Sequence, residues 1–336
     1  MKKLLFVYAL LFGAFLIYLI NFQSREVNTN LEGKPKGLQG TIDEKYVMVT
    51  FQVGIEYWKN VLKGFEDGAQ ALNVSVEYRG ATNYDVNEQI TVLEQVIARK
   101  PSGIAISAIH PNALNVTINK AIDAGIPVVL FDSDAPDSKA YSFLGTNNFN
   151  AGATAAHEMA DMIKNRGKIA VITLPNQQNH IDRANGFKET IEKQYPDIEV
   201  VAVKDGKGNQ LVSGQVVSDL LKEHPDLNGI FATEANGGVG VGEALINLRK
   251  DKQVRIVSFD TDKQTLDMVK DGTIDATIAQ GTWNMGYWSL QYLFHLQHDL
   301  IRSQGGPYTS GNQLLPRMDT GITVVTRENV EKYYAK

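Results

Sequence analysis

The chain has 336 residues, with 33 Lys+Arg against 38 Asp+Glu and a formal net charge of −5. At about 150 residues per domain that length predicts two domains, and 43% hydrophobic with 21% charged residues is ordinary globular usage. The mild acidity offers no basic field to a polyphosphate backbone, so nucleic acid is not an expected partner. The absence of cysteine removes disulfide frameworks, thiolate metal sites, iron–sulfur clusters and thiol catalysis together.

Met1-Lys2-Lys3 precedes an almost unbroken apolar run from Leu4 to Ile20, and Phe22 follows Asn21. As a helix, Leu4 to Phe22 would be about 28 Å long, close to the ~30 Å of a hydrocarbon core. The exit from the run, Ile20-Asn21-Phe22-Gln23-Ser24-Arg25, has no Ala-x-Ala-like cleavage site, and no cysteine exists to carry a lipid. Lys2 and Lys3 favour a cytoplasmic N-terminus. Residues 1–22 therefore read as a retained single-pass transmembrane signal anchor with everything after it outside the cell, a cleaved signal with an atypical site being the alternative. Residues 23–44 are polar and Gly/Lys-rich and read as a flexible stalk.

From Tyr46 short β-branched runs alternate with longer amphipathic ones. The first set predicts strand 46–53, helix 58–72, strand 74–78, helix 86–99, strand 103–107, helix 112–124 and strand 127–131, broken cleanly by Pro101 and the Gly125-Ile126-Pro127 turn. The pattern restarts with strand 142–144, helix 150–165, strand 168–173, helix 183–194, strand 199–202, helix 211–223 and strand 229–231. It continues with helix 239–247, strand 255–259, helix 264–270 and strand 276–279. A helix over 287–301 and a strand over 321–325 are left over, and they point to a chain that crosses back between lobes. The fold class is α/β: two Rossmann-like lobes with parallel sheets covered by helices on both faces.

Ligands of open parallel sheets bind outside the carboxyl ends of the strands, and polar residues cluster there. In the first half these are Gln52 with Glu56-Tyr57-Trp58, Ser107 and His110, and Asp132-Ser133-Asp134. In the second they are Asn176 to Asn179, Glu234 with Asn236, Asp260 with Asp262, and Gln280, with Trp283 just beyond. Neutral amides and carboxylates read vicinal hydroxyls, and flat rings pack on an apolar C–H face, so the inventory suits a polyhydroxyl ligand. For any single member the plainer reading is a helix cap or a solvated loop residue; Asp132 and Asp260 could each cap the segment that follows.

At these residues the chain resembles the type I periplasmic sugar-binding proteins, the ribose-binding members most. The likeness runs from about Lys45 to Lys336. It is carried by Val129-Leu130-Phe131-Asp132, Arg183-Ala184-Asn185-Gly186-Phe187, His224-Pro225-Asp226, Ile256-Val257-Ser258-Phe259-Asp260, Asp275-Ala276-Thr277-Ile278-Ala279-Gln280 and the closing Asp319-Thr320-Gly321-Ile322-Thr323-Val324-Val325. The resemblance implies two lobes joined by a three-segment hinge, with one monosaccharide in the cleft between them. The sugar-binding lobes would be 45–146 plus 281–316 and 147–280 plus 317–336. The family's ring-stacking aromatics fall on Tyr57 and Trp58, its strand-end aspartate on Asp132, its cleft arginine on Arg183, and its late aspartate and glutamine on Asp260 and Gln280. Three positions depart from the pattern. Ser133 replaces an arginine, Glu234 stands where the family has asparagine with Asn236 close by, and Ile55-Glu56 replaces Asn-Pro before the aromatics. A lost cationic fork and a gained carboxylate change which hydroxyls can be read.

No catalytic or cofactor motif competes. None of the six histidines sits in a metal-ligand motif, and His295 with His298 read as a surface or interface pair. Gly237-Gly238-Val239-Gly240-Val241-Gly242 opens a helix but misses G-x-G-x-x-G, because Glu243 occupies the sixth position counted from Gly238. A repressor of the same two-lobed build would carry a basic helix-turn-helix where this chain has an apolar run. The expectation is a membrane-tethered sensor of a pentose or hexose that reports to a sensor histidine kinase, the alternative being the binding subunit of a sugar ABC importer that hands its ligand to a permease.

Overall fold

The computed structural model describes Phe15, residues 37–301 and residues 314–334. The expected anchor, Phe15 apart, and most of the expected stalk lie outside the described residues. None of the described helices is long and apolar enough to cross a membrane. The chain divides at Gly40/Thr41, and the fold that follows belongs to the unit beginning at Thr41.

Two six-stranded sheets organise it. The first holds β1 (Lys45–Thr50), β2 (Ser75–Gly80), β3 (Gly103–Ile106), β4 (Val128–Phe131), β5 (Phe143–Gly145) and the distant β11 (Arg317–Asp319), in the order β11-β5-β4-β3-β1-β2 with every pair parallel. The second holds β6 (Gly167–Thr173), β7 (Ile198–Asp205), β8 (Leu227–Ala232), β9 (Arg255–Phe259), β10 (Ala276–Gln280) and β12 (Ile322–Thr326), in the order β12-β10-β9-β8-β6-β7 with β12 alone antiparallel. Helices α1 (Trp58–Leu72), α2 (Val86–Ala98), α3 (Asn115–Asp123) and α9 (Thr282–Gln297) cover the first sheet. The second is covered by α4 (Asn148–Met162), α5 (Gln178–Gln194), α6 (Gln210–Glu223), α7 (Ala235–Asn247) and α8 (Lys263–Asp271).

Central strands such as β3 (GIAI) and β4 (VVLF) are buried throughout, because helices cover both faces and period-two alternation gives each face its own core. In β1, Val47 and Val49 join one apolar cluster while Tyr46 and Met48 join the other. The two lobes repeat one packing device. A Cβ at Gly64 or Gly286 would overlap backbone of the facing helix where α1 crosses α9, and Gly152 and Gly186 do the same where α4 crosses α5. Each pair of helices meets backbone to backbone at glycines that nothing larger could replace.

Three short segments join the lobes: β5 to α4, β10 to α9, and β11 to β12. They lie side by side, with Thr320 N–H donating to the Gly145 carbonyl at 2.9 Å and Gly281 N–H to the Gly321 carbonyl at 3.0 Å. The strand over 142–144, which the alternation alone sets at the head of the second set, is β5 of the first sheet, inside the 45–146 lobe that the resemblance implies. One lobe boundary needs correcting. Residues 317–319 also belong to the first sheet rather than the second lobe, because Arg317, Met318 and Asp319 pair with Phe143, Leu144 and Gly145, so the last crossing follows Asp319.

Gly286→Ala should lower stability by about 1–3 kcal/mol, since its methyl meets the Val61 carbonyl, which cannot swing aside as a side chain would. Urea unfolding of the two proteins measures this, and an unchanged midpoint would contradict the packing described.

Candidate functional site

The carboxyl ends of both sheets face one cavity of about 460 Å3 between the lobes. From the first lobe, Phe51, Gln52 and Tyr57 enter it between β1 and α1, Tyr84 between β2 and α2, and Asp132 after β4. The second contributes Arg183 and His180 from the start of α5, Glu234 and Asn236 at the start of α7, Asp260 after β9, and Gln280 at the end of β10.

Asp132 and Asp260 occupy equivalent places, each after the fourth strand of its sheet, and both have a left-handed backbone, φ 59° and 68°. Asp tolerates this region better than most residues, and strain held at matching positions marks a site whose side-chain direction matters. Neither carboxylate caps the next segment. Asp132 accepts from Tyr57 Oη at 2.6 Å and from Ser107 Oγ at 2.9 Å, and Asp260 accepts from Gln280 Nε2 at 2.6 Å.

Gln280 is the junction. Its Oε1 accepts from Arg183 Nη2 at 2.9 Å and Thr146 Oγ1 at 2.7 Å, and its Nε2 donates to Asp260 Oδ1 and, at 3.2 Å, to Tyr57 Oη. Those four bonds complete the capacity of a carboxamide. Arg183 is 1% exposed. Its Nε donates to Asn148 Oδ1 and its Nη1 to the Thr233 carbonyl, and its guanidinium lies 3.7 Å over the Phe259 ring. One connected network thus runs from Asp132 in the first lobe through Tyr57 and Gln280 to Asp260 and Arg183 in the second.

Of the residues singled out from the sequence, Gln52, Tyr57, Asp132, Arg183, Glu234, Asn236, Asp260 and Gln280 line this cavity, as do Glu56, Gln177, Asn179 and Asp262, whereas Ser107, His110, Asp134, Asn176 and Gln178 do not. Nor does Trp58. It is 1% exposed, enclosed edge-on by Phe51, Tyr57 and Phe131, with its indole N–H on the Gln52 carbonyl at 2.7 Å. The first residue of α1 points inward, so Trp58 is a core residue that holds the Gln52 loop and offers no stacking face. Ser133 is also buried and does not line the cavity. Glu234 turns out to be the N-cap of α7, accepting from Gly237 N–H at 2.6 Å and Asn236 N–H at 2.8 Å. Trp283, expected near Gln280, sits on the outer side of α9 because that helix begins at Thr282 rather than 287. The aromatic residues missed from the sequence are Phe51 and Tyr84, whose rings meet edge to face at 5.6 Å. Tyr84 follows a strand in an Asn-Tyr-Asp turn, the same strand-end signal that found the others.

The electrostatics follow from crowding acids into a shielded space. Burial pushes the Asp260 carboxyl up to about 7, opposed by Arg183 and reinforced by Asp262. Burial likewise raises Glu234 to about 7 against the pull of the two backbone donors. Asp132 is raised by burial, though Tyr57 and Ser107 hold it down in part. Burial, then Arg183, keeps the His180 imidazole well below its ordinary value, and therefore neutral. Among the described residues no group of three or more His, Asp or Glu is placed to hold a metal ion.

Comparison with known proteins places these features in context. Residues 46–298 match the family described as periplasmic binding protein domain. The structure of AraP, an arabinose-binding protein from Geobacillus stearothermophilus, is 66% identical, with a TM-score of 0.79 over 87% of this chain and 99% of that one. A sugar-binding protein of a sugar ABC transporter from Bacillus halodurans is 62% identical, with a TM-score of 0.80 over 87% and 100%. A structure described as the XylFII–LytSN complex is similar at 25% identity, with a TM-score of 0.75 over 84% and 98%.

The raised carboxyls predict a pH dependence. The folded-state value of Asp260, about 7, lies above its ordinary 3.8, so the fold favours the protonated form. That stability is fully present below pH ~4 and is lost as the pH rises towards ~7. Relative to Asp260→Asn, the parent protein should therefore lose stability between about pH 4 and 7 and stay level above, as read from unfolding midpoints across pH. A difference that does not change with pH would contradict the buried state of this group.

Proposed function

The chain belongs to the type I periplasmic sugar-binding proteins, a family without catalytic activity, and we propose that it is a membrane-tethered, extracytoplasmic member that closes on a monosaccharide and reports occupancy to a membrane partner such as a two-component histidine kinase. One observation carries the sugar reading: the hydrogen-bonded network from Asp132 through Gln280 to Asp260 draws on both lobes around a single cavity. Carboxylates only accept hydrogen bonds, so Asp132 and Asp260 suit hydroxyl donors presented from opposite sides of a small ring. Gln52, Tyr57, Arg183, Glu234 and Asn236 complete the wall as ligand contacts, and Gln280, with its own bonds filled, orients them. Tyr57, Phe51 and Tyr84 offer the apolar faces that suit a sugar's C–H surface. The arabinose named for AraP supports a pentose. A ligand that touches both lobes favours the closed arrangement, and a partner can read that arrangement from outside.

The tether rests on the apolar run from Leu4 to Ile20 with no cleavage site after it and no cysteine to lipidate. A fixed helix, unlike a soluble shuttle, keeps the lobes beside one partner, and the XylFII–LytSN structure pairs a similar protein with a second one. The description of the Bacillus halodurans protein supports the other reading, the binding subunit of a sugar ABC importer delivering to a permease.

Calorimetric titration of the full chain with pentoses and hexoses should give one strong ligand, and Asp260→Ala should weaken it by about 2–4 kcal/mol. Unchanged affinity in that variant would remove Asp260 from the site. Mass spectrometry of the membrane fraction should find a chain that keeps its first 22 residues; a mature form beginning near Ser24 would refute the tether.

A further inference from the structure

Where α5 begins, the second lobe sets into the cavity wall a histidine whose proton is placed by its neighbours. His180 is buried, lines the cavity and is neutral. Its Nδ1 lies 3.1 Å from Thr233 Oγ1, which lies 3.1 Å from Thr173 Oγ1, which lies 3.3 Å from the His180 carbonyl. A carbonyl only accepts, so Thr173 gives its one hydroxyl proton there. Thr233 then gives its own to Thr173, and the proton between Thr233 and the imidazole has to come from Nδ1. The ring of bonds closes in one direction only. It leaves Nε2 a bare lone pair, an acceptor with nothing to donate.

That nitrogen makes no hydrogen bond among the described residues and is not one of the polar atoms shut off from solvent, so it faces the cavity. Asn179, the residue before it and buried in the same wall, is oriented too. Its Oδ1 accepts from the His180 backbone N–H at 3.0 Å, which turns the Nδ2 donor the other way, with no acceptor among the described residues. The wall thus offers an acceptor and a donor side by side, each fixed by the protein and neither used by it. Buried polar groups are ordinarily paired, so such a couple is matched by something that enters the cavity.

We propose that His180 reads one hydroxyl of the bound sugar, taking its hydrogen bond at Nε2, and so selects ligands with a free hydroxyl at that ring position. The inference rests on the sugar-binding reading above. A hydroxyl is the donor that suits the place. Arg183 lies near enough to oppose protonation of the imidazole, and it opposes a ligand ammonium there for the same reason. A methyl ether accepts without donating, and a deoxy carbon does neither. The acids of the cleft do not make this distinction as sharply. Asp260 and Glu234, raised to about 7, offer a proton as well as lone pairs near neutrality. Locked and neutral, His180 has one role.

The test pairs a protein variant with altered sugars. His180→Asn keeps a donor in the place of Nδ1 and deletes Nε2. The full chain in detergent micelles is titrated calorimetrically with arabinose, ribose, xylose, glucose and galactose, then with monodeoxy and mono-O-methyl derivatives of the sugar that binds. The parent should bind one deoxy sugar, and the methyl ether altered at the same carbon, about tenfold or more weakly. His180→Asn should lose about tenfold for the unaltered sugar at an unchanged melting temperature, and should bind that deoxy sugar as well as the unaltered one. A histidine with only a structural role would weaken every sugar alike and leave the deoxy penalty in place, which would overturn the proposal. The parent supplies a second readout. In nitrogen-15 spectra of histidine-labelled protein the His180 proton should sit on Nδ1, and bound sugar should displace the Nε2 signal. A proton on Nε2, or a signal unmoved by sugar, would overturn the proposal whatever the variant does. If none of the five sugars binds the parent, the sugar reading fails and this inference falls with it; if one binds parent and variant equally, this inference alone falls.

Discussion

A guanidinium taken out of water must be surrounded by acceptors, and the arrangement of this cleft follows from how Arg183 meets that demand. Its donors go to the neutral oxygens of Asn148, Thr233 and Gln280, not to a carboxylate. The balancing charge of Asp260 arrives one bond further on, through the carboxamide of Gln280. That relay joins the arginine to Asp260 through a neutral amide, with no direct ion pair between them. It also fixes Gln280, whose neighbour Gly281 begins the crossing back to the first lobe, so the network that shapes the cavity also sits on the hinge.

Pseudo-symmetry explains why the cavity has acids on both sides. Each lobe has the same strand order and the same glycine-to-glycine crossing of two helices, and each ends its fourth strand in an aspartate with a left-handed backbone. The symmetry is broken by what supports each acid. Asp132 is held by hydroxyls of Tyr57 and Ser107, whereas Asp260 leans on an amide beside a buried cation. Two carboxyls of the same type thus present different strengths to whatever lies between them.

The architecture was legible in the sequence because helix and strand periodicities alternate without long irregular stretches, and because strand ends in parallel sheets are predictable places for polar residues. Gln52, Glu56, Tyr57, Asp132, Gln177, Asn179, Glu234, Asn236, Asp260, Asp262 and Gln280, so chosen, line the cavity, but Ser107, His110, Asp134, Asn176 and Gln178 do not. Trp58 and Ser133 failed for one reason: both adjoin a cavity residue in the chain, and successive residues turn to different sides, opposite at a strand end and about 100° apart in a helix. Chain position alone does not say which of Tyr57 and Trp58 turns inward. The short β11 was missed because three residues carry no periodicity, and it is recognised only by its pairing with β5. The α9 boundary was set at 287 rather than Thr282, and the contact of Gly286 with Val61 belongs to the part of the helix that was missed.

The central claim is that a sugar draws the two lobes together around this network. Its most direct test is a pulsed electron–electron resonance distance between one spin label on α2 and one on α6, attached through cysteines introduced into a chain that has none of its own. Adding the sugar that binds should narrow the distance distribution and shift it to the separation seen in this structure. A distribution identical with and without bound sugar would mean that the cleft does not report occupancy by closing.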